Sequence, residues 1–517
     1  HGSVEIMRGC PNACRFCHAT VYARPCRFKL RQMIQEEVEG LVRRAGYRQV
    51  TLSSLSSGDF REIHGLVRDL NAKYAPLQVS FSLPSLRIDS MSLALLKEIS
   101  EVRKSGLTFA VETAKPEWQQ EVRKTAALEK IVAVMREART QGWKAAKFYF
   151  MVGLPPSFAE DESTSIIEYL RAVRAATGMS LNVNIAAFIP KPHSPWQRAP
   201  QLGEEEASAR IMAVRKGLAG NGFKIGHHAP FLSILEGIVA RGDERAARLV
   251  LDAYTHGARL DAWEEHLKTD VWRQAIARAD WDPVGDACRQ RGPSEPLPWD
   301  KVALGLTMSE ITDARIAPGI QGPVVTSPVP AAALPSEGAI WKRLLFSFTK
   351  TGASAFISHL DLMTVFERAV VRAGYAARFT EGFNPKPRLE FANPLSLGLE
   401  SRDEIGGIDL HDFDTEESFV ARMNRSLPAG LLLKSAAVVP HDGISRRRSL
   451  MSLYWGADFE VRGADGETRI LRVPATGPSI RKTLEAAGTR QTENAVRVAT
   501  WAAGPRGEPL SYFAALS

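Results

Sequence analysis

The chain has 517 residues, 44% hydrophobic and 24% charged, with 66 Lys and Arg against 58 Asp and Glu for a net charge of +8. At roughly 100–200 residues per domain this length implies two to four domains, and the composition excludes collagen, a disulfide-rich mini-protein and a mostly disordered chain. No run of about 18 apolar residues occurs, so no membrane span is expected, and the charge surplus is too even along the chain to demand nucleic acid.

Val4–Met7 reads as a short strand leading into a cysteine-rich loop. Met33, Ile34, Val38, Leu41 and Val42 share one face, which predicts a helix over 30–45. A strand over 50–55 ends in Ser56-Ser57-Gly58-Asp59 and is followed by a helix over 61–73. The pattern repeats as strand 77–83, helix 90–101, strand 107–112, helical region 117–141, strand 144–152, helix 161–176 and strand 181–189. Strands alternating with helices predict an α/β unit with a parallel sheet over 1–203. Six units make a partial (β/α)6 TIM-like barrel, open on one side, rather than the closed eightfold one.

Residues 204–291 read as a helical extension with 3.6-residue spacing and no strand. Residues 292–340 carry Pro293, Pro296, Pro298, Pro318, Pro323, Pro328, Pro330 and Pro335 and read as a Pro/Gly-rich linker. A separate α+β domain is expected over 341–517. It opens with strand 343–349 and a helix over 359–373 capped by Ser358, then strands between 376 and 411, helix 415–427 and strand 430–440. A ferredoxin-like arrangement is the expectation.

Only five cysteines occur, four of them at positions 10, 14, 17 and 26. An odd, clustered set argues against a disulfide framework and for a reducing cytoplasm. Cys10, Cys14 and Cys17 follow a C-x3-C-x2-C spacing in Cys10-Pro11-Asn12-Ala13-Cys14-Arg15-Phe16-Cys17. Three soft thiolates suit an iron–sulfur cubane and leave one iron open for a small molecule. They could instead form a Cys3His zinc site with His18, although adjacent Cys17 and His18 make a shared tetrahedron awkward. Cys26 reads as a packing thiol rather than a ligand.

The Cys10–Cys17 motif, with aromatic Phe16 before the last cysteine, resembles the signature of the radical S-adenosylmethionine (radical SAM) superfamily. The resemblance implies a [4Fe-4S] cluster on Cys10, Cys14 and Cys17. Its open iron would bind S-adenosyl-L-methionine, which one electron cleaves to a 5′-deoxyadenosyl radical. It also implies cofactor contacts at the strand ends: Phe16, Ser57, Gly58, Asp59, Glu112, Gly153 and Ile189. Each has a plainer reading, as a turn for Ser57–Asp59 and Gly153 or a helix-start carboxylate for Glu112. His193 reads as a loop histidine.

A narrower resemblance rests on Pro190–Pro195, 235–243, 257–263, Phe356–Asp361 and 382–388. These segments look like cobalamin (B12)-binding-type radical SAM proteins fused to a radical-SAM-associated domain. The N-terminal cobalamin-binding-like domain of that group is absent from this chain, which opens with His1, so an upstream segment is expected and cobalamin is expected only through it. A second cysteine group, implied near 311–322, has no cysteine there.

The implied partners are a flavodoxin- or ferredoxin-like reductant and an unknown substrate, with RNA a candidate and the C-terminal domain presenting it. Arg378, Lys386 and Arg388 interleave with Phe379 and Phe383, and Arg446–Arg448 adds a basic run; guanidinium and aromatic groups can bind phosphate and stack bases, while a solvated face explains them nearly as well. His359 and Asp361 could be a catalytic or metal pair, with helix capping the plainer reading. The alternative function is a non-catalytic, metal-stabilised nucleic-acid-binding scaffold.

Overall fold

The computed structural model describes residues 2–303 and 341–516, apart from 24, 85, 89–92, 104–105, 221, 383, 412–413, 440–447, 464–465 and 487–494. Most of the expected linker, the 311–322 stretch, Phe383, Arg446 and Arg447 therefore lie outside the described residues.

Strands β1 (Gly2–Glu5), β2 (Gln49–Ser53) and β3 (Ser80–Ser82) form one sheet in chain order. Strands β4 (Leu107–Glu112), β5 (Ala145–Val152), β6 (Ser180–Ala187) and β7 (Phe223–His227) form a second. Every neighbouring pair is parallel. Helices α1 (Arg31–Glu39), α2 (Ile63–Tyr74), α3 (Leu93–Ile99), α4 (Pro116–Val122), α5 (Leu128–Thr140), α6 (Ser163–Thr177) and α7 (Glu204–Gly217) lie between them in the chain. This is the expected α/β partial barrel, and among the described residues no ladder joins β3 to β4.

One element corrects the sequence reading. The stretch 204–291, expected to be helical throughout, contains β7, paired with β6. Phe223, Ile225 and His227 alternate with exposed Lys224 and Gly226. Five residues between two longer helical patterns are too few for a period of two to stand out. Beyond β7, α8 (Pro230–Arg241), α9 (Glu244–Thr255) and α10 (Thr269–Arg278) close a small core around Phe231, Ile234, Ile238, Leu249 and Trp272.

The two faces of the barrel sheet differ. Leu107, Phe109 and Val111 of β4, Phe148, Phe150 and Val152 of β5, and Leu181, Val183 and Ile185 of β6 are buried. They pack with Ile131, Val134 and Met135 of α5 and Ile166, Leu170 and Val173 of α6 in one continuous core. The alternate residues Thr108, Tyr149 and Asn184 are only half-buried, and Lys147 and Asn182 are exposed. A closed barrel fills its interior with apolar layers; this one keeps a polar concave face.

In the C-terminal domain, β8 (Trp341–Lys350), α11 (His359–Arg372), β9 (Leu389–Phe391), β10 (Glu400–His411), α12 (Glu416–Ser426) and β11 (Leu431–Val439) give the lateral order β11-β8-β10-β9 with antiparallel neighbours. That is the expected ferredoxin-like split β-α-β arrangement. Phe346, Phe348, Phe366, Phe391 and Phe419 fill the space under its helices.

The sequence reading assigned no element beyond 440, but the sheet continues there. Strands β12 (Tyr454–Arg462), β13 (Thr468–Pro474) and β14 (Ala495–Ala503) join it through a parallel pairing of β14 with Glu400 and Ser401, and with the short strands Ala376–Ala377 and Pro509–Ser511 the sheet has nine strands among the described residues. Asp458 and Arg497 are buried in these strands, paired with Arg472 and Glu404. Charged residues at inward positions erase the apolar alternation that marks a strand.

The C-terminal domain docks on loops that precede β2, β3 and β4. Arg372 Nη1 donates to the Ala45 carbonyl (3.4 Å) and Arg103 Nη2 to the Pro385 carbonyl (2.9 Å). The Arg368 guanidinium lies 4.2 Å from the Tyr47 ring centre. All of these lie at the N-terminal ends of the barrel strands. Among the described residues no helix is long and apolar enough to cross a membrane.

Candidate cofactor site

The site is built at the opposite, C-terminal ends of the strands. After β1 the Ile6 amide donates to the Ser53 carbonyl (3.0 Å). Met7–Arg8 then pairs antiparallel with Arg27–Phe28, closing the cysteine loop at its base. Gly9 makes this turn with φ +92°, and a Cβ there would lie 2.2 Å from the Ala23 carbonyl oxygen. Cys26 is buried at the same base in the core with Ile6, Met7 and Phe28, which is where a packing thiol sits.

Three anchors hold the loop. The Arg15 amide donates to the Val122 carbonyl (3.1 Å). Phe16 packs against Val122, Leu154 and Phe188 at the ends of α4, β5 and β6. Asn12 Nδ2 donates to Asp59 Oδ2 (2.6 Å), with Ser56 Oγ at 3.4 Å and Cys10 Sγ at 3.5 Å. Asn12 therefore ties the cysteine loop directly to the loop after β2.

Cys10 and Cys14 are buried and Cys17 is half-buried, its amide donating to the Cys14 carbonyl (3.1 Å). Arg87 Nη1 donates to Cys14 Sγ at 3.1 Å. Burial pushes the Cys14 thiol up against the opposing pull of Arg87 and Lys124. Among the described residues no three His, Cys, Asp or Glu side chains converge closely enough to hold one metal ion. The His18 ring instead packs edge-on against Tyr22, 5.1 Å between centres, and burial with Lys191 and His193 nearby lowers its pKa. A cubane takes its thiolates on separate irons, so its ligands stand further apart than those of one ion. Three thiolates with N–H donors already aimed at two of the sulfurs suit such a cluster.

Glu112 ends β4 just past a register shift, with φ +69°. A non-glycine residue in this region stores roughly 1–3 kcal/mol of strain. Lys124 Nζ holds it there, 2.5 Å from Glu112 Oε1, with both side chains largely buried. Lys124 also lies 5.9 Å from the Phe16 ring centre, which puts Glu112 and the cysteine loop in one neighbourhood.

The remaining expected residues divide. Asp59 faces Asn12 and Ser56, as above. The Ser57 hydroxyl is wholly buried and bonded to the Leu52 carbonyl (3.2 Å) and Ser54 Oγ (2.9 Å), so it shapes the turn through Gly58. Gly153 has φ +78°, a Cβ there would meet Leu202 Cγ at 2.5 Å, and its amide donates to the buried Glu162 carboxylate. Glu162 is paired with Arg210 at 2.5 Å. Ile189 follows Phe188, whose amide donates to the Val152 carbonyl (2.9 Å). His193 makes a tight turn with φ +58°, its amide bonded to Gln197.

A cavity of about 430 Å³ opens beside this cluster, at the parting of β3 and β4. Thr108, Ala110 and Tyr149 form its floor, and Arg87 and Lys124 lie on its wall. Asn12, Arg87, Lys124 and Tyr149 were not singled out by sequence reasoning. Asn12 sits inside the motif, where attention falls on the cysteines; Arg87 and Lys124 lie in loops without local pattern, and only folding brings them to Cys14.

Two other expectations meet plainer outcomes. Ser358 Oγ accepts from the Asp361 amide (3.2 Å) and donates to its carboxylate (2.7 Å), so Asp361 belongs to a helix cap; the His359 ring packs edge-on against Phe391. Phe379 lies under Arg48, 4.4 Å to the ring centre, and Arg378 sits over Trp341 at 5.7 Å. Both are engaged within the protein rather than in an open basic patch.

Comparison with known proteins decides the class. Residues 4–164 match the radical SAM superfamily. The chain carries a radical SAM domain. Residues 343–499 match a family described as an uncharacterized protein conserved in bacteria (DUF2344), so the radical SAM domain is fused to a second unit, as the resemblance implied. The curated protein MJ0966 of Methanocaldococcus jannaschii, itself described as uncharacterized, is 27% identical over 245 residues, 47% of this chain and 53% of that protein. The chain spans about half the length of this relative.

Among solved structures, the radical S-adenosylmethionine methyltransferase TsrM from Kitasatospora setae, with cobalamin and a [4Fe-4S] cluster bound, gives a TM-score of 0.36 at 11% identity, covering 54% of this chain and 61% of that one. HydG, a maturase of the [FeFe]-hydrogenase, gives 0.29 at 10% identity, covering 54% and 80%. The radical SAM domain rests on the family match over residues 4–164 and on the cysteine loop.

Proposed function

We propose that this chain is a radical SAM enzyme whose Cys10, Cys14 and Cys17 hold a [4Fe-4S] cluster, with S-adenosyl-L-methionine bound over the strand ends at Phe16, Ser57–Asp59, Glu112, Gly153 and Ile189. One observation carries this reading. Asn12 links Cys10 to Asp59, while Arg87 and Lys124 flank Cys14 and Lys124 reaches Glu112. The expected cluster ligands and two expected cofactor carboxylates thus belong to one connected group.

Cys10, Cys14 and Cys17 would hold the cluster, which would supply an electron to the reducible sulfonium of the bound cofactor. The residues do the rest. Asn12 and Ser56 hold one Asp59 oxygen, which turns the other to accept an ammonium group. Lys124 fixes Glu112 in its strained backbone state. Phe16, Leu154 and Phe188 seat the loop on an apolar floor that excludes water. Substrate enters the cavity lined by Thr108, Tyr149 and Arg87. The protein works in the cytoplasm with a flavodoxin- or ferredoxin-like reductant, and RNA is a candidate substrate. The chain divides into a barrel over 1–203, a helical extension over 204–291 whose β7 serves the barrel, a linker over 292–340 and the C-terminal domain over 341–517.

Anaerobic reconstitution with iron and sulfide tests the reading: reductant-dependent release of 5′-deoxyadenosine is expected. Full iron content in a variant with all three cysteines changed to alanine would overturn it. Tight metal without any cleavage would favour the scaffold reading. For RNA, filter binding should weaken steeply with salt if phosphates are gripped; a flat response removes RNA as substrate.

A further inference from the structure

At the other end of the barrel, the seam with the C-terminal domain buries more positive charge than it neutralises. Arg48, just before β2, is 8% exposed, and its Nε and Nη1 have no hydrogen-bond partner. Arg43 is 7% exposed; its Nε lies 3.4 Å from Glu39 Oε1, yet neither Nε nor Nη1 makes a hydrogen bond. Glu39 is already shared with Lys73 at 2.8 Å and with the Tyr74 hydroxyl. Arg103 has an unpartnered Nε as well. From the C-terminal domain, α11 adds Arg368 and Arg372, and Glu367 is the acidic group that acts on both Arg48 and Arg103. Burial pulls the Arg48 guanidinium down to about 10.

Arg43 and Arg48 line a small cavity closed by Val42, Leu77, Val79, Tyr375, Ala377 and Phe379. Its volume is about 30 Å³, room for about two water molecules. A desolvated guanidinium with unmade hydrogen bonds is strongly unfavourable, and an enclosed counter-charge removes the penalty.

We infer that a small inorganic anion, a halide or an oxyanion no larger than phosphate, binds in this seam between Arg48 and Arg43 and fastens the C-terminal domain to the barrel. The site is separate from the cysteine loop and does not depend on the radical SAM reading. The cavity is too small for a nucleotide. Phe379 covers it from the C-terminal domain, stacked on Arg48, so anion binding and domain docking are coupled.

The test uses the whole chain, exchanged into a buffer whose only anion is gluconate, at fixed ionic strength. Chloride or inorganic phosphate is then added while the unfolding midpoint and hydrogen exchange in 42–48 and 368–379 are followed. The expected result is a saturable rise in midpoint of a few degrees, slower exchange in both segments, and loss of both responses in Arg48→Gln. Without chloride or phosphate that variant should be at least as stable as the parent, because it no longer buries an unmatched charge. A midpoint indifferent to both ions, or an Arg48→Gln protein that keeps the response, overturns the inference. If Arg48→Gln does not fold, Arg43→Gln takes its place, and absence of protection in the parent chain alone is decisive against it.

Discussion

The two ends of the barrel carry similar residue types to opposite effect. At the cysteine end, Arg87 donates to a sulfur, Lys124 to Glu112, and Asn12 to Asp59. At the far end, Arg43, Arg48 and Arg103 have only Glu39 and Glu367 to answer them and keep buried guanidinium nitrogens without hydrogen bonds. Charge at the strands' C-terminal ends is arranged around the cysteine loop, and charge at their N-terminal ends around a docking surface. This also relocates the C-terminal domain: it sits on the end remote from the cysteine loop, so it does not hold substrate over that loop in this arrangement.

The comparison breaks most sharply through two glycines. Gly9→Ala forces a Cβ against the Ala23 carbonyl at a residue with φ +92°, and a loss of roughly 2–4 kcal/mol is expected. Iron uptake after reconstitution should fall with it, while domain docking stays intact. Gly46→Ala places a Cβ 2.5 Å from the Arg368 carbonyl oxygen at φ +73°. It should do the reverse, keeping iron but enlarging the radius measured by X-ray scattering as the domains part. Equal effects of both on iron would erase the distinction between the ends.

A buried pair supplies the next test. Glu162 is 1% exposed and depends on Arg210. Arg210→Met should destabilise by about 3 kcal/mol at pH 7 by leaving a buried carboxylate alone. Burial raises the Glu162 pKa above its ordinary 4.5, more than Arg210 lowers it. The neutral acid is therefore the form the fold prefers, and the stability this group contributes is present below pH 4.5 and lost as pH rises through its folded value. Removing Arg210 raises that value further, so the loss in Arg210→Met should shrink on acidification toward pH 4.5. A loss that is constant between pH 4.5 and 7, read by denaturant titration, would contradict the assignment.

Smaller effects sharpen the cysteine end. Arg87→Met removes a positive hydrogen-bond donor from Cys14, and the reduced cluster should become harder to form, shifting the midpoint seen by electron paramagnetic resonance to more negative potential. An unchanged midpoint would leave Arg87 a wall residue only. Smallest of all, breaking the exposed Arg8–Glu5 pair should leave the unfolding midpoint essentially unchanged, because solvent screens it.

The ordered alternation of strands and helices, the thiolate motif and the split β-α-β order were legible in the chain because each rests on local pattern: hydrophobic period, turn residues and cysteine spacing. Ser358 as a cap was legible for the same reason. Strand β7 escaped because five residues cannot establish a period, and β12 and β14 escaped because the buried charges Asp458 and Arg497 occupy inward positions. The partners of Cys14 also escaped, since Arg87 and Lys124 are 73 and 110 positions away along the chain.

By itself, then, the sequence determined the alternating strand–helix plan of the N-terminal domain and the thiolate motif that resembles a radical SAM signature, since thiolate spacing within eight residues is a local property. The tertiary structure alone decided which side chains reach those donors, that the barrel's inner face stays polar, and that the second domain docks at the far end. Those depend on the separation of residues in space, which chain order does not encode until packing brings the loops together.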